Sequence, residues 1–199
     1  AFALDHEDRD RNRKEMSEVY QKWKNTQVGL GDEVLKAFDR ASRMGEERKA
    51  ALRQIDPNYG IDEPLDFTLS GLSNEKLSLK SLRGKVVVFD FWATWCGPCR
   101  AQQPLYEEVK QRYKSNPKVV FLNLNTDEER AGVKPFLEKN KWAKTVWFDD
   151  GLSTLLKVSS IPTTMIFNAK GELFSRMNGF IADRFVDMLA ERIEQALAE

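Results

Sequence analysis

The feature that most constrains this chain is Cys96-Gly97-Pro98-Cys99, because of what stands on either side of it. Before it runs Lys85-Val86-Val87-Val88-Phe89-Asp90-Phe91-Trp92, a nearly continuous apolar stretch of the kind that forms a strand covered on both faces. After it, a helical pattern reads over residues 102–113. The two cysteines therefore fall where a buried strand ends and a helix starts, a setting for a reversible disulfide. Free N–H groups and the dipole at a helix N-terminus favour the thiolate of Cys96. The thiolate is the attacking species in disulfide exchange, so its population at neutral pH sets reactivity.

Two plainer uses of the pair compete. Structural zinc needs four ligands, and His6 is the only histidine beside the two cysteines, so no metal site is expected. A purely structural disulfide across so short a loop gains little from loop closure. Redox exchange is the favoured reading.

Trp95-Cys96-Gly97-Pro98-Cys99 matches the active-site motif of the thioredoxin superfamily, and the chain resembles that superfamily beyond the motif. Val158-Ser159-Ser160-Ile161-Pro162-Thr163-Thr164 is similar to the family's Ile-Pro-Thr segment. The resemblance implies that Pro162 is cis and packs beside the cysteines. The stretch from Cys99 to Pro162 is longer than a minimal thioredoxin domain needs, and the excess reads as a helix over 128–140 and a strand over 145–149. Upstream, Glu63-Pro64-Leu65-Asp66-Phe67-Thr68-Leu69, then Leu77-Ser78-Leu79 and Leu82-Arg83-Gly84-Lys85, resemble the lead-in of the TlpA/ResA-like, or redoxin, branch. Members of that branch are often extracytoplasmic. The resemblance covers residues 61–199, read as the redox domain, and residues 1–58 are read as a separate α-helical segment. The fold class this implies is α/β: a thioredoxin-like three-layer sandwich with a mixed central sheet, preceded by an N-terminal helical hairpin.

The hairpin reading comes from periodicity. Met16, Val19, Tyr20 and Trp23 form one helical stripe. Val28-Gly29-Leu30-Gly31-Asp32 interrupts it, with glycines suited to a stop and Asp32 to an N-cap. A second stripe runs through Leu35, Phe38 and Ala41, with a break expected at Gly45. Such a hairpin packs on its own domain or, alternatively, offers residues 1–56 to a partner or a second copy. Downstream, residues 65–69 and 76–79 read as a short hairpin, 119–125 as a strand, 163–168 and 173–177 as a second hairpin, and 182–198 as an amphipathic helix.

Composition excludes more than it selects. Lys+Arg and Asp+Glu both total 31, so no basic bias points to nucleic acid. No apolar run approaches the roughly 20 residues that span a bilayer. The opening Ala1-Phe2-Ala3 is compatible with what remains beside a signal cleavage site.

Within this frame the candidate catalytic residues are Cys96, Cys99, Asp90 and Pro162. Cys96, expected to be partly exposed, is the nucleophile, and Cys99, one turn inside, is the resolving thiol. A carboxylate amid an apolar strand is costly, and burial should raise the pKa of Asp90. The resemblance implies that such an acid relays a proton for Cys99. The substrate-binding candidates are Trp95, Gly97, Pro98 and Ile161, the last offering backbone groups to an extended substrate segment. Trp92 is read as core, and Arg100 as a solvated helix-surface arginine or, alternatively, as an electrostatic aid to the thiolate. Thioredoxins carry a lysine near the buried acid where this chain has Asn123, which puts that coupling in doubt here. The peroxidase pattern of Pro and Thr ahead of the cysteine is replaced by Phe89 and Ala93.

The function expected is a thiol–disulfide oxidoreductase that reduces protein disulfides through a reversible Cys96–Cys99 disulfide and needs no other cofactor. A disulfide oxidase or isomerase is the alternative within the class. A redox-switched module docking through its N-terminal helices is the alternative outside it. The resemblance implies protein disulfide or dithiol substrates, a membrane or soluble thiol donor, a role in cell redox homeostasis, and a bacterial extracytoplasmic setting, with the cytoplasm as alternative.

Overall fold

The computed structural model describes residues 30–199 together with Lys14, Glu15, Ser17 and Glu18. The chain divides into two units, Ala1–Asp56 and Pro57–Glu199. In the first, helix α1 (Leu30–Ile55) runs without interruption. It passes through Gly45, where a break was expected, because one glycine costs a helix only about 1 kcal/mol. It also starts ahead of Asp32, which therefore is not its N-cap. The whole of the first expected stripe, and so the hairpin itself, lies outside the described residues.

The second unit is a mixed seven-stranded sheet covered on both faces. Its strands are β1 (Thr68–Gly71), β2 (Lys76–Ser78), β3 (Val86–Trp92), β4 (Val119–Asn125), β5 (Val146–Phe148), β6 (Thr163–Phe167) and β7 (Leu173–Asn178). Their spatial order is β2-β1-β5-β4-β3-β6-β7. β3, β4 and β5 run parallel, while β6 pairs antiparallel with both β3 and β7. Four helices lie in this unit: α2 (Gly97–Arg112), α3 (Val133–Lys139), α4 (Leu152–Leu155) and α5 (Ala182–Leu197).

All seven residues of β3 are buried, which explains its unbroken apolar run. Alternation along the strand sends Val87, Phe89 and Phe91 into a core with Leu65, Leu79, Leu152 and Phe167. Val86 and Val88 point the other way, onto Tyr106 and Val109 of α2 and Phe185, Leu189 and Ile193 of α5. Trp92, on that same face, closes a third cluster with Cys96, Cys99, Val133 and Leu137. Asp90 is thus aimed at the face that α2 covers.

Local chemistry moves some expected boundaries. Leu65 belongs to a 3-10 turn (Pro64–Asp66) rather than a strand, since Pro64 fixes its own φ and has no N–H for a ladder. The strand starts at Thr68, whose N–H donates to Asn58 Oδ1. The helix expected over 128–140 begins as a 3-10 turn (Arg130–Gly132), where the Glu129 carboxylate accepts from the Ala131 N–H. It becomes α-helical only at Val133 and stops at Lys139. Helix α2 begins earlier than its apolar pattern suggested, because prolines are tolerated in a first turn where N–H groups lack helical partners.

Phe89 is fully buried, and its ring lies 5.1 Å from Phe167 and 6.2 Å from Phe91. Phe89→Ala should cost about 3–5 kcal/mol of unfolding free energy. The loss should appear as a lower urea midpoint at unchanged m-value.

Candidate functional site

Strand β3 delivers its chain directly into the cysteine turn, and the end of β4 holds that turn in place. The Asp127 carboxylate accepts from the Thr94 N–H and from Thr94 Oγ1, each at 2.8 Å. Asn125 Nδ2 donates to the same carboxylate at 2.7 Å. The Thr126 N–H closes the arrangement on the Trp92 carbonyl at 2.9 Å. These bonds turn the chain so that Cys96 becomes the N-cap of α2.

Cys96 and Cys99 are joined in a disulfide with their Cα atoms 5.3 Å apart. Cys96 Sγ also accepts from the Cys99 N–H at 3.1 Å, doing for α2 what a serine oxygen does at other N-caps. Contrary to expectation, Cys96 is only 3% exposed. The disulfide ties its sulfur inward against the cluster of Trp92, Ala93, Val133 and Leu137. What faces solvent is the rim, with Trp95 71% exposed and Gly97 and Pro98 exposed beside it.

The Ile161–Pro162 bond is cis. Pro162 is buried, and Ile161 is half-buried and packs on the cysteine cluster. A groove of about 360 Å³ runs along this side, lined by Trp95, Thr126, Ser153, Val158, Ser160 and Ile161. Trp95 and Ile161, both singled out in the sequence, therefore share one groove.

Asp90 is 3% exposed on the α2-covered face of β3. Its Oδ1 accepts from Gln102 Nε2 at 2.9 Å, and Thr164 Oγ1 lies at 3.5 Å from the same oxygen. Burial pushes its pKa up from 3.8 to about 6, against the opposing pull of Lys144 and these two hydrogen bonds.

Lys144 was not visible in the sequence as a site residue. It is 8% exposed, and its Nζ donates to Gln103 Oε1 at 2.6 Å. The same ammonium lies 3.6 Å from the centroid of Trp92 and 4.7 Å from that of Trp142. Its pKa falls from 10.5 to about 8, with burial outweighing the attraction of Asp90. Strand β4 indeed carries no lysine beside the acid, since Asn123 pairs with Asp90 in register. Asn123 instead donates through Nδ2 to the Thr145 carbonyl at 3.1 Å, anchoring the segment that carries Lys144. Gln102 and Gln103 were equally missed, because two glutamines on a helix carry no signal until the elements they bridge are known.

Among the described residues, no group of three or more His, Cys, Asp or Glu could hold a metal ion. The chemistry available is that of a vicinal cysteine pair above a buried acid. Asp90 contributes to stability with a definite sign. Its folded pKa is raised, so the native state holds the proton more tightly than the unfolded chain, and stability falls as pH rises from about 4 through about 6. Relative to Asp90→Asn, the wild type should lose on the order of 3 kcal/mol of stability between roughly pH 4 and pH 7. Paired urea titrations across that range would check it.

A thioredoxin-like family model matches residues 84–173. Thioredoxin-like protein YneN of Bacillus subtilis is 37% identical over 108 residues, 53% of this chain, and the match spans 64% of that relative, just under two thirds of its length. The thiol-disulfide oxidoreductase ResA of Bacillus cereus is 30% identical over 119 residues, covering 59% of this chain and 68% of ResA. Among solved structures, a secreted Mycobacterium tuberculosis disulfide oxidoreductase homologous to E. coli DsbE superposes with a TM-score of 0.55. It is 29% identical and covers 68% of this chain and 99% of its own.

Proposed function

Because the chain belongs to the thioredoxin-like thiol-disulfide oxidoreductases of the ResA type, we propose that it reduces protein disulfides with the Cys96–Cys99 pair. The observation that carries this reading is the asymmetry of the pair. Cys96 caps the helix next to the exposed Trp95 and Pro98 in sequence, whereas Cys99 lies inside the first turn.

In the reduced protein, the Cys96 thiolate attacks one sulfur of a substrate disulfide. A Cys96–substrate disulfide forms, and the other substrate sulfur leaves with the electron pair of the broken bond and takes up a proton. Cys99 then gives its proton to the Asp90 carboxylate and attacks Cys96 Sγ. The intramolecular disulfide re-forms, and the second substrate thiolate departs and is protonated. Two electrons have passed from the dithiol to the substrate, and a thiol donor returns them. Asp90 suits its part because a base whose pKa lies near the working pH is present in both protonation states.

The groove beside Ile161 supports an extended polypeptide as the substrate, paired through main-chain groups. Pro162, lacking an N–H, leaves the neighbouring surface free of a competing donor. Gly97 and Pro98 keep the approach to Cys96 low. The redox centre is the disulfide itself. The secreted relative supports an extracytoplasmic setting, with a membrane or soluble thiol as donor. Among the described residues, no helix is long and apolar enough to cross a membrane.

The Gly-Pro between the cysteines, as in reducing thioredoxins, favours the reductive direction. Cys96→Ser should abolish reduction of insulin disulfides. Cys99→Ser should react once and accumulate a mixed disulfide visible by mass spectrometry. A Cys96→Ser protein that still turns over would overturn the assignment. The potential of the couple in thiol buffers fixes direction: about −270 mV marks a reductant, and about −120 mV an oxidant of substrate thiols.

A further inference from the structure

A second cavity, of about 480 Å³, lies along α2 and shares no residue with the substrate groove. The two differ in charge. The groove is lined by no ionisable side chain, only by Trp95, Ile161 and neighbouring hydroxyl and aliphatic residues. The cavity is lined by three cations, Arg100, Lys141 and Lys144, and by one carboxylate, Glu107. That carboxylate is already engaged. It accepts from Gln103 Nε2 at 3.0 Å and pairs with Lys110 at 3.3 Å. The cations are not matched in this way. Among the described residues, neither the Arg100 guanidinium nor the Lys141 ammonium meets a hydrogen-bond acceptor or a carboxylate. Lys144 is 8% exposed, and its three N–H donors meet one acceptor, Gln103 Oε1 at 2.6 Å, beside the rings of Trp92 and Trp142.

The backbone adds an independent observation. Lys141 has a φ of 54°, in the left-handed region. It stands just past the end of α3, with its N–H donating to the Glu138 carbonyl, a place where glycine is the usual occupant. The lysine side chain is exposed and gives this turn no hydrogen bond. A residue kept against its backbone preference, with a side chain the fold does not use, is the kind of outlier that accompanies ligand sites.

We propose that this cavity is a binding site for a small dicarboxylate, with Lys144 at its depth and Arg100 and Lys141 at its mouth. Their burial sets that order, since Lys144 is enclosed while the other two are exposed. Three cations against one neutralised acid call for two negative charges. The guanidinium fork takes one carboxylate through parallel N–H bonds, and the half-buried Trp142 offers an apolar wall to the spacer between the charges. The same chemistry is carried by a free dianion or by paired acidic side chains of a polypeptide. The site goes beyond the disulfide-reduction reading and does not depend on it.

The test is a titration of the oxidised full chain with glutarate at fixed pH and ionic strength, read by nitrogen-15 NMR. Saturable shifts should appear at the Trp142 indole and the Arg100 and Ala143 amides, and none at the Trp95 indole. Glutaramide, similar in shape but uncharged, should give none. Arg100→Ala and Lys141→Gly should each weaken glutarate about tenfold. Glycine relieves the left-handed backbone, so Lys141→Gly should keep or raise the urea midpoint while it loses affinity. A lysine serving the fold alone would show the reverse, a lower midpoint at unchanged affinity. Shifts that do not saturate, glutaramide binding as well as glutarate, or variants that bind like the wild type would overturn the proposal. A blocked Glu-Gly-Glu peptide identifies the source: binding tighter than glutarate assigns the site to an acidic polypeptide segment, and weaker binding to a free dicarboxylate. A wild type that reduces no disulfide would defeat the functional reading alone, because the titration needs no turnover.

Discussion

The structure depends on enclosing one carboxyl group inside a strand that has no exposed residue. Asp90 cannot be hydrated where it sits, so its polar atoms must be met by groups from other elements. Gln102 arrives from α2 and Thr164 from β6, whose register places Thr164 directly across from Asp90. Sliding β6 by one residue, or shifting α2 by one turn, would leave the acid without its partners. The elements constrained in this way also carry the chemistry. Helix α2 begins at the cysteines, and β6 begins one residue after the cis Ile161–Pro162 bond. Meeting the needs of the buried acid and assembling the redox site are therefore the same packing problem.

A second, partly buried polar layer reinforces the first. Asn125, Asp127 and Thr94 bind one another at the carboxyl ends of β3 and β4, and they hold the turn that presents Cys96. Not every polar atom in this region finds a protein partner: Trp92 Nε1, Gln102 Oε1 and Asn123 Oδ1 are buried without one. All three belong to residues that surround Asp90 and Lys144. A core optimised for stability alone would satisfy or replace them, since each such atom costs about 1–3 kcal/mol. Their concentration here is what the proposed proton transfer to Asp90 would lead one to expect.

Legibility in the sequence followed locality. β3 and β4 were readable almost residue for residue, because burial on both faces writes a continuous apolar run. Asp90 stood out for the opposite reason, as the one charge inside such a run. The cysteine pair declared its own chemistry. Lys144 did not, because nothing near it in sequence distinguishes it from the surface lysines Lys139 and Lys141. Its burial arises from Trp92 and Gln103, far away along the chain, and from the Asn123 amide that pins Thr145. The burial of Cys96 was also out of reach, since exposure of a loop residue depends on the packing of α3 against it. Gly45 misled because a strong helical context outweighs one residue's low propensity.

The two cysteines differ through position alone, and that difference orders the proposed cycle. Cys96 Sγ faces the first-turn N–H groups of α2 and already accepts from the Cys99 N–H. These donors stabilise negative charge, so they lower the cost of a thiolate at Cys96. Cys99 shares with Cys96 the cluster of Trp92, Ala93, Val133 and Leu137, but it lies inside the helix rather than at its N-cap. Apolar surroundings favour its neutral thiol. In the proposed cycle the Cys96 sulfur attacks without a base, while the Cys99 thiol waits for Asp90 to take its proton. A premature thiolate at Cys99 would compete with substrate capture, and burial opposes it. In that proposed cycle the acid and the helix N-terminus act on different sulfurs at different stages, and both lie at the junction of β3 and α2.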